Sequence, residues 1–195
     1  GAMPFNLGAF LRNPARTNVA AFNASRGEVR WFTKEEISTL DTLGPVIRAS
    51  STLPILMPPT IIEGDTYVDG ALGPNGGLPF DAPLRDGYRK LLVVLTRPRD
   101  YVKPPLTPSV SALLRMAYRR FPSVHQGVAL RASRYNAGRR CLFGLEERGR
   151  AYVFCPDNLW ITNTESHRER LEATYRAGLV QIRREMPAIK AFLGL

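Results

Sequence analysis

One continuous apolar run, Leu91-Leu92-Val93-Val94-Leu95-Thr96, limits the folds that this chain can adopt. A run of this length without polar alternation is typical of a β-strand covered on both faces. Such strands occur in α/β sheets, and 195 residues with 44% hydrophobic content are enough for one domain with a sizeable core. We therefore predict an α/β fold for the part of the chain that holds this run.

The residues before the run predict a hairpin, a helix and two short strands. In chain order these are strands at 18–23 and 28–33, a helix at 42–51, and strands at 60–62 and 66–68. The elements alternate in type over a short length of chain. This alternation agrees with the α/β prediction.

Beyond the proline-rich segment 103–108 the apolar residues change to helical spacing. They recur every three or four positions from Val110 to Phe121, which predicts an amphipathic helix. Further helices are predicted over 123–145 and at the C-terminal end of the chain. This part of the chain is therefore expected to be mainly helical.

The net charge of +10 is concentrated in residues 85–150, which carry 15 Lys+Arg against 4 Asp+Glu. A basic region of this kind attracts nucleic acid or an anionic membrane. No RNA-binding signature accompanies it, so nucleic acid is not expected and peripheral membrane contact is the favoured partner. Arg115, Arg119 and Arg120 are the candidates for this contact, because they lie between apolar positions of one predicted helix. An ordinary solvated helix face is the open alternative.

We expect no metal and no cofactor. Cys141 and Cys155 have neither a CxxC spacing nor a nearby histidine pair, and the loop 73–77 lacks the Gly-Lys-Ser/Thr ending of a phosphate-binding loop. His125 and His167 are expected to be surface or capping residues.

No apolar run approaches the roughly 20 residues that cross a bilayer. A reduced cytoplasmic setting is expected, with membrane contact at the periphery.

Asp69 directly follows the predicted strand at 66–68 and directly precedes Gly70. A carboxylate at the carboxyl end of a strand is well placed to act as a base, and a glycine beside it lets another backbone or a substrate approach. An Asp-Gly pair after a strand is also a common turn. The residues alone leave both interpretations open.

A longer series of motifs surrounds this aspartate. It runs from Ala49-Ser50-Ser51-Thr52-Leu53-Pro54 through Pro58-Pro59 to Tyr67-Val68-Asp69-Gly70-Ala71 and then to the apolar run. In order and spacing the series resembles the patatin-like phospholipases. Later elements, among them Arg97-Pro98-Arg99-Asp100-Tyr101, are similar to the C-terminal extension of a bacterial branch of patatin-like esterases. The resemblance covers nearly the whole chain.

This resemblance implies a lipid acyl hydrolase with a Ser–Asp dyad, in which Asp69 is the catalytic base and Gly70 and Ala71 are its motif neighbours. The dyad serine of a Gly-x-Ser-x-Gly motif attacks an ester carbonyl and forms an acyl-enzyme. No serine of this chain has glycine at both second positions. Ser25 comes closest, but it joins two predicted strands, whereas a nucleophile elbow joins a strand to a helix.

We therefore expect the C-terminal part of such an enzyme, inactive alone, with the serine and the oxyanion loop on a missing N-terminal half of the same protein. The expected fold is an α/β, patatin-like sheet fragment with a helical C-terminal extension. Residues 1–3 are expected to be the remnant of an expression tag, 4–103 the catalytic-domain part and 104–195 the extension. The expected substrate is a lipid or another acyl ester. The alternative is a non-catalytic basic module that binds anionic membrane or nucleic acid.

Overall fold

The computed structural model describes residues 4–162 and 165–195 of the chain. The expected tag remnant at residues 1–3 lies outside these residues. The chain is a mixed α/β protein with an antiparallel sheet, a parallel strand pair and a long C-terminal helix. The α/β prediction is therefore confirmed.

The helices and strands have the following bounds. The strands are β1 (Asn18–Asn23), β2 (Glu28–Thr33), β3 (Thr60–Ile62), β4 (Asp65–Asp69), β5 (Leu91–Val94) and β6 (Ala151–Phe154). The helices are α1 (Leu7–Arg12), α2 (Leu40–Ser51), α3 (Asp81–Arg85), α4 (Pro108–Ala117), α5 (Pro122–Glu147) and α6 (Arg168–Leu193). A short 3₁₀ turn, Gly70–Leu72, directly follows β4.

The chain divides into two compact units that alternate along the sequence. The first takes the chain up to Pro79 together with Lys103–Gly138, and the second takes Phe80–Val102 together with Arg139–Leu195. The division therefore falls inside α5. The domain boundary expected from the sequence, between residues 103 and 104, stays a prediction.

The first unit contains a four-stranded antiparallel sheet in the order β2-β1-β4-β3. β1 pairs with β4 from Ala21↔Asp69 to Asn23↔Tyr67. β3 and β4 are joined by Glu63 and Gly64, whose φ angles of 53° and 83° are both positive. A two-residue type I′ hairpin needs this conformation at both positions.

Helices cover both faces of this sheet, because successive strand residues point to opposite sides. The cluster on the α2 side consists of Ala21, Phe32, Ile37, Val46, Ala49 and Tyr67. The cluster on the side of α4 and α5 consists of Phe22, Ala24, Val68, Leu72, Leu114, Tyr118 and Val124. Fully burying a side chain such as Phe22 or Val68 contributes roughly 1.5–3 kcal/mol. These two clusters fix the position of β4 and of Asp69 at its end.

The second unit contains β5 and β6 as a parallel pair, from Leu91↔Ala151 to Val94↔Phe154. The expectation that the apolar run is covered on both faces is wrong for this structure. Leu91 and Leu95 are buried, but Leu92 is 43% exposed and Val94 is 64% exposed. The strand is therefore half-buried with a period of two, because the second unit covers only one face of the pair.

The helix predicted from Val110 to Phe121 is shorter than expected. α4 ends at Ala117, so Arg115 lies on the helix while Arg119 and Arg120 lie in the turn before α5. The placement of all three arginines on one helix is therefore wrong. Pro122 gives the physical reason, since a proline disfavours helical geometry at the residue before it and favours the first turn of a new helix.

Among the helices of the described residues, none combines the length and the apolar character needed to cross a bilayer.

Candidate active site around Asp69

Asp69 is the last residue of β4 and is half-buried, as its sequence position predicts. Its backbone N–H donates to the carbonyl oxygen of Thr52 at 2.9 Å. Thr52 directly follows α2 and is fully buried. The pairing with β1 and this contact hold the Asp69 backbone from two sides.

The two carboxylate oxygens of Asp69 have different surroundings. Oδ1 accepts a hydrogen bond from the backbone N–H of Ala71 at 2.8 Å, which caps the 3₁₀ turn. Oδ2 accepts no hydrogen bond from any residue in 4–162 or 165–195. One oxygen thus orients the carboxylate, and the other is open to a hydroxyl donor.

Gly70 lets the backbone of β1 come close to this site. A Cβ atom on Gly70 would lie 2.4 Å from the carbonyl oxygen of Ala20 and 2.8 Å from its carbonyl carbon. No side chain fits in this space without a backbone shift. The expected approach of another backbone beside Asp69 is confirmed, and that backbone is β1.

The following glycines are also explained by packing. A Cβ on Gly76, which has a φ of 63°, would lie 2.5 Å from the backbone nitrogen of Tyr135 on α5. A Cβ on Gly77 would lie 2.8 Å from the Cβ of Ala71. The Leu72 carbonyl accepts a hydrogen bond from Arg134 at 3.0 Å. The glycine-rich loop is thus packed against α5 and against the residues that follow Asp69.

Ser25 is far from Asp69. Its hydroxyl accepts a hydrogen bond from the backbone N–H of Thr66 at 3.0 Å, at the start of β4. Asp69 lies three residues further along the same strand, which is about 10 Å at the rise of an extended chain. The Ser25 hydroxyl therefore stabilises the hairpin and is out of hydrogen-bond reach of Asp69.

The structure brings together one serine and one histidine that the sequence did not connect. Ser111 Oγ on α4 and His125 Nε2 on α5 are 3.0 Å apart. His125 is half-buried, so its assignment as a surface or capping residue stays a prediction. Within the described residues no carboxylate hydrogen-bonds to the other ring nitrogen, as a Ser-His-Asp triad requires. The pair joins two helices.

His167 agrees better with its prediction. It stands at the N-cap position of α6, and its side chain is exposed. Its backbone N–H and its ring Nδ1 both contact Glu165, and these contacts lower the pKa of Glu165 to about 2. The histidine thus belongs to the surface at the start of a helix.

No group of three or more His, Cys, Asp or Glu residues in the described parts of the chain is arranged to hold a metal ion. Cys141 and Cys155 are free thiols. Burial raises the pKa of the Cys155 thiol, which disfavours the thiolate form that binds metals.

Arg115, Arg119 and Arg120 are exposed and remote in sequence from Asp69. None of the three forms an ion pair or a hydrogen bond through its side chain with another described residue. Their charges are thus not paired within the described residues.

Two family models match the chain. Residues 4–84, which contain Asp69, Gly70 and Ala71, match the model described as Patatin-like phospholipase. Residues 121–194 match the model described as Domain of unknown function (DUF6363). No curated protein and no solved structure matches the chain. Residues 4–84 thus match a domain of the patatin-like phospholipases, a family of lipid hydrolases, and residues 121–194 match the domain of unknown function.

Proposed function

We propose that this chain supplies Asp69 as the base of a Ser–Asp dyad in a lipid acyl hydrolase. The serine belongs to a Gly-x-Ser-x-Gly segment outside this sequence, on the same protein. The observation that carries the proposal is the carboxylate geometry, with Oδ1 bound to the Ala71 N–H and Oδ2 without a hydrogen-bond partner among the described residues. A base needs one oriented lone pair that a hydroxyl can reach.

The proton transfers follow from this geometry. The serine hydroxyl donates its hydrogen bond to Asp69 Oδ2, and the proton moves to that oxygen as the serine Oγ bonds to the ester carbonyl carbon. The alcohol leaves with this proton, and an acyl-serine ester remains. Water then attacks the ester, gives a proton to Asp69 and releases the fatty acid. The serine regains its proton in the last step.

The backbone around Asp69 supports such a role because it is held firmly. The Thr52 carbonyl, the β1 pairing and the close approach of Ala20 at Gly70 all restrict the strand end. Positioning matters in catalysis, since a displacement of about 1 Å can cost roughly a hundredfold in rate. The family match supports the lipid substrate class and does not favour the non-catalytic binding module.

The test is Asp69→Asn in the parent enzyme that joins this sequence to its Gly-x-Ser-x-Gly segment. The amide cannot accept the serine proton, so hydrolysis of a p-nitrophenyl acyl ester should fall by about 10²–10⁴-fold. Circular dichroism should show an unchanged fold. Asp41→Asn is the matched control, because it removes the same charge from an exposed position of α2.

The control variant should retain wild-type turnover. Equal turnover in Asp69→Asn and Asp41→Asn would remove Asp69 from catalysis. Loss of activity in both variants together with loss of helical signal would assign Asp69 a structural role and contradict the proposal.

A further inference from the structure

We propose that α4 and the turn after it form a docking surface for an anionic lipid bilayer. The surface consists of three apolar and three basic side chains, namely Val110, Leu113, Met116, Arg115, Arg119 and Arg120. Docking is independent of the hydrolytic step, and it gives the protein a way to reach lipid esters at an interface.

The apolar part lies on the outer side of α4. The inner side packs against the first unit, because Leu114 and Tyr118 are buried in the core and Ser111 contacts His125. The outer side carries Met116 at 73%, Leu113 at 47% and Val110 at 41% exposure. A surface helix normally places polar residues on its outer side. Neighbouring exposed apolar side chains instead mark a contact surface.

The arginines of this surface are not neutralised by acidic residues of their own segment. Residues 103–138 contain six Lys and Arg and no Asp or Glu. Arg115, Arg119 and Arg120 are exposed, and none forms an ion pair with another residue of the described chain. The positive potential of this surface is therefore available to an external anion.

Apolar and basic groups side by side have the chemistry of an interfacial helix. Leucine, methionine and valine side chains enter the boundary between headgroups and acyl chains, while arginines donate hydrogen bonds to lipid phosphates. A nucleic acid would use the arginines but would leave the apolar side chains in water. The combination therefore favours the lipid bilayer as the partner.

The experiment is co-sedimentation of the chain with vesicles of phosphatidylcholine alone or mixed with phosphatidylglycerol, at low and moderate salt. Wild type should bind the anionic vesicles more tightly, and binding should weaken as salt rises. Each arginine near an anionic surface contributes about fivefold in affinity, so R115Q/R119Q/R120Q should bind roughly a hundredfold more weakly. L113S/M116S should lose about tenfold, because less apolar area enters the interface.

Two control variants test whether vesicle binding depends on this surface or only on the total charge and hydrophobicity of the protein. R168Q/R170Q/R176Q removes three exposed charges from α6, where these arginines pair with Glu165 and Glu172. Ile61→Ser removes an exposed apolar side chain, 71% accessible, from β3. Both controls should bind like wild type, and all variants should retain the wild-type melting temperature.

Equal binding to neutral and anionic vesicles, or equal losses in the control and the docking-surface variants, would overturn the proposal. Binding to a short DNA duplex but not to vesicles, with the same loss in the triple arginine variant, would assign the surface to nucleic acid and would also overturn it. None of these outcomes depends on Asp69 or on ester hydrolysis, so the two proposals fail separately.

Discussion

Gly70→Ala should destabilise the end of β4 that carries Asp69. The added Cβ would lie 2.4 Å from the Ala20 carbonyl oxygen, and real Cβ contacts are essentially never shorter than 3.0 Å. The two backbones must therefore separate. Overpacking of this kind costs about 1–3 kcal/mol, offset by about 0.4–1 kcal/mol from the reduced freedom of the unfolded chain. We expect a net loss of roughly 1–2 kcal/mol in the free energy of unfolding.

Gly44→Ala is the matched control for this substitution. Gly44 lies inside α2, and a Cβ there has nothing within 4 Å. Alanine should therefore stabilise the helix by about 0.5–1 kcal/mol. The two variants add the same methyl group to the same unit and should change stability in opposite directions.

Thermal unfolding followed by circular dichroism measures both changes. In a protein of this size about 1 kcal/mol shifts the melting temperature by roughly 2–4 °C. Amide hydrogen exchange should also be faster at Asp69 and Ala71 in Gly70→Ala, because their hydrogen bonds lie beside the clash. A melting temperature for Gly70→Ala at or above the wild-type value would refute the argument that Ala20 leaves no room for a side chain.

Two further predictions concern activity and pH. The chain alone should not hydrolyse a p-nitrophenyl acyl ester above the buffer rate. Ser25→Ala should not change this result, because the Ser25 hydroxyl is bound at the opposite end of β4 from Asp69. Hydrolysis that Ser25→Ala abolishes would contradict the account. The hydrogen bond from the buried Asn23 amide lowers the pKa of Asp65, with a further contribution from Arg26. A lowered carboxyl pKa in the folded state contributes stability above the unfolded value of about 4, and this contribution is lost as pH falls below it. The difference in unfolding free energy between wild type and Asp65→Asn should therefore shrink below pH 4 in urea titrations, and a constant difference from pH 7 to pH 3 would count against this role.

Much of the first unit could be predicted from the sequence because its signals are local. β1 and β2 have the predicted bounds, since two short segments rich in apolar residues flank a turn that ends in Gly27. The Glu63-Gly64 turn and the position of Asp69 at a strand end depend on the same short-range chemistry. The part of the motif series from Ala49 to Ala71 also lies within the patatin-like match, whereas the apolar run at 91–96 lies outside it.

The remaining features depend on contacts between distant parts of the chain. The partners of Asp69, such as the Thr52 carbonyl, follow from how α2 returns to the sheet, and no local pattern encodes this. The same holds for the Ser111–His125 pair. The prediction that the apolar run at β5 is covered on both faces is wrong, because composition does not reveal how many faces of a strand are covered. Met116 and Leu113 fit a helical pattern, but only the packing of Leu114 shows that they face outward.

The rate constant of serine acylation in the proposed parent enzyme tests the central claim most directly. In a pre-steady-state experiment with a p-nitrophenyl ester, the burst reports the acylation step, in which Asp69 is the proposed acceptor of the serine proton. The account predicts that Asp69→Asn slows this burst by about 10²–10⁴-fold, while Asp41→Asn keeps the wild-type rate. A burst of wild-type rate and amplitude in Asp69→Asn would contradict it.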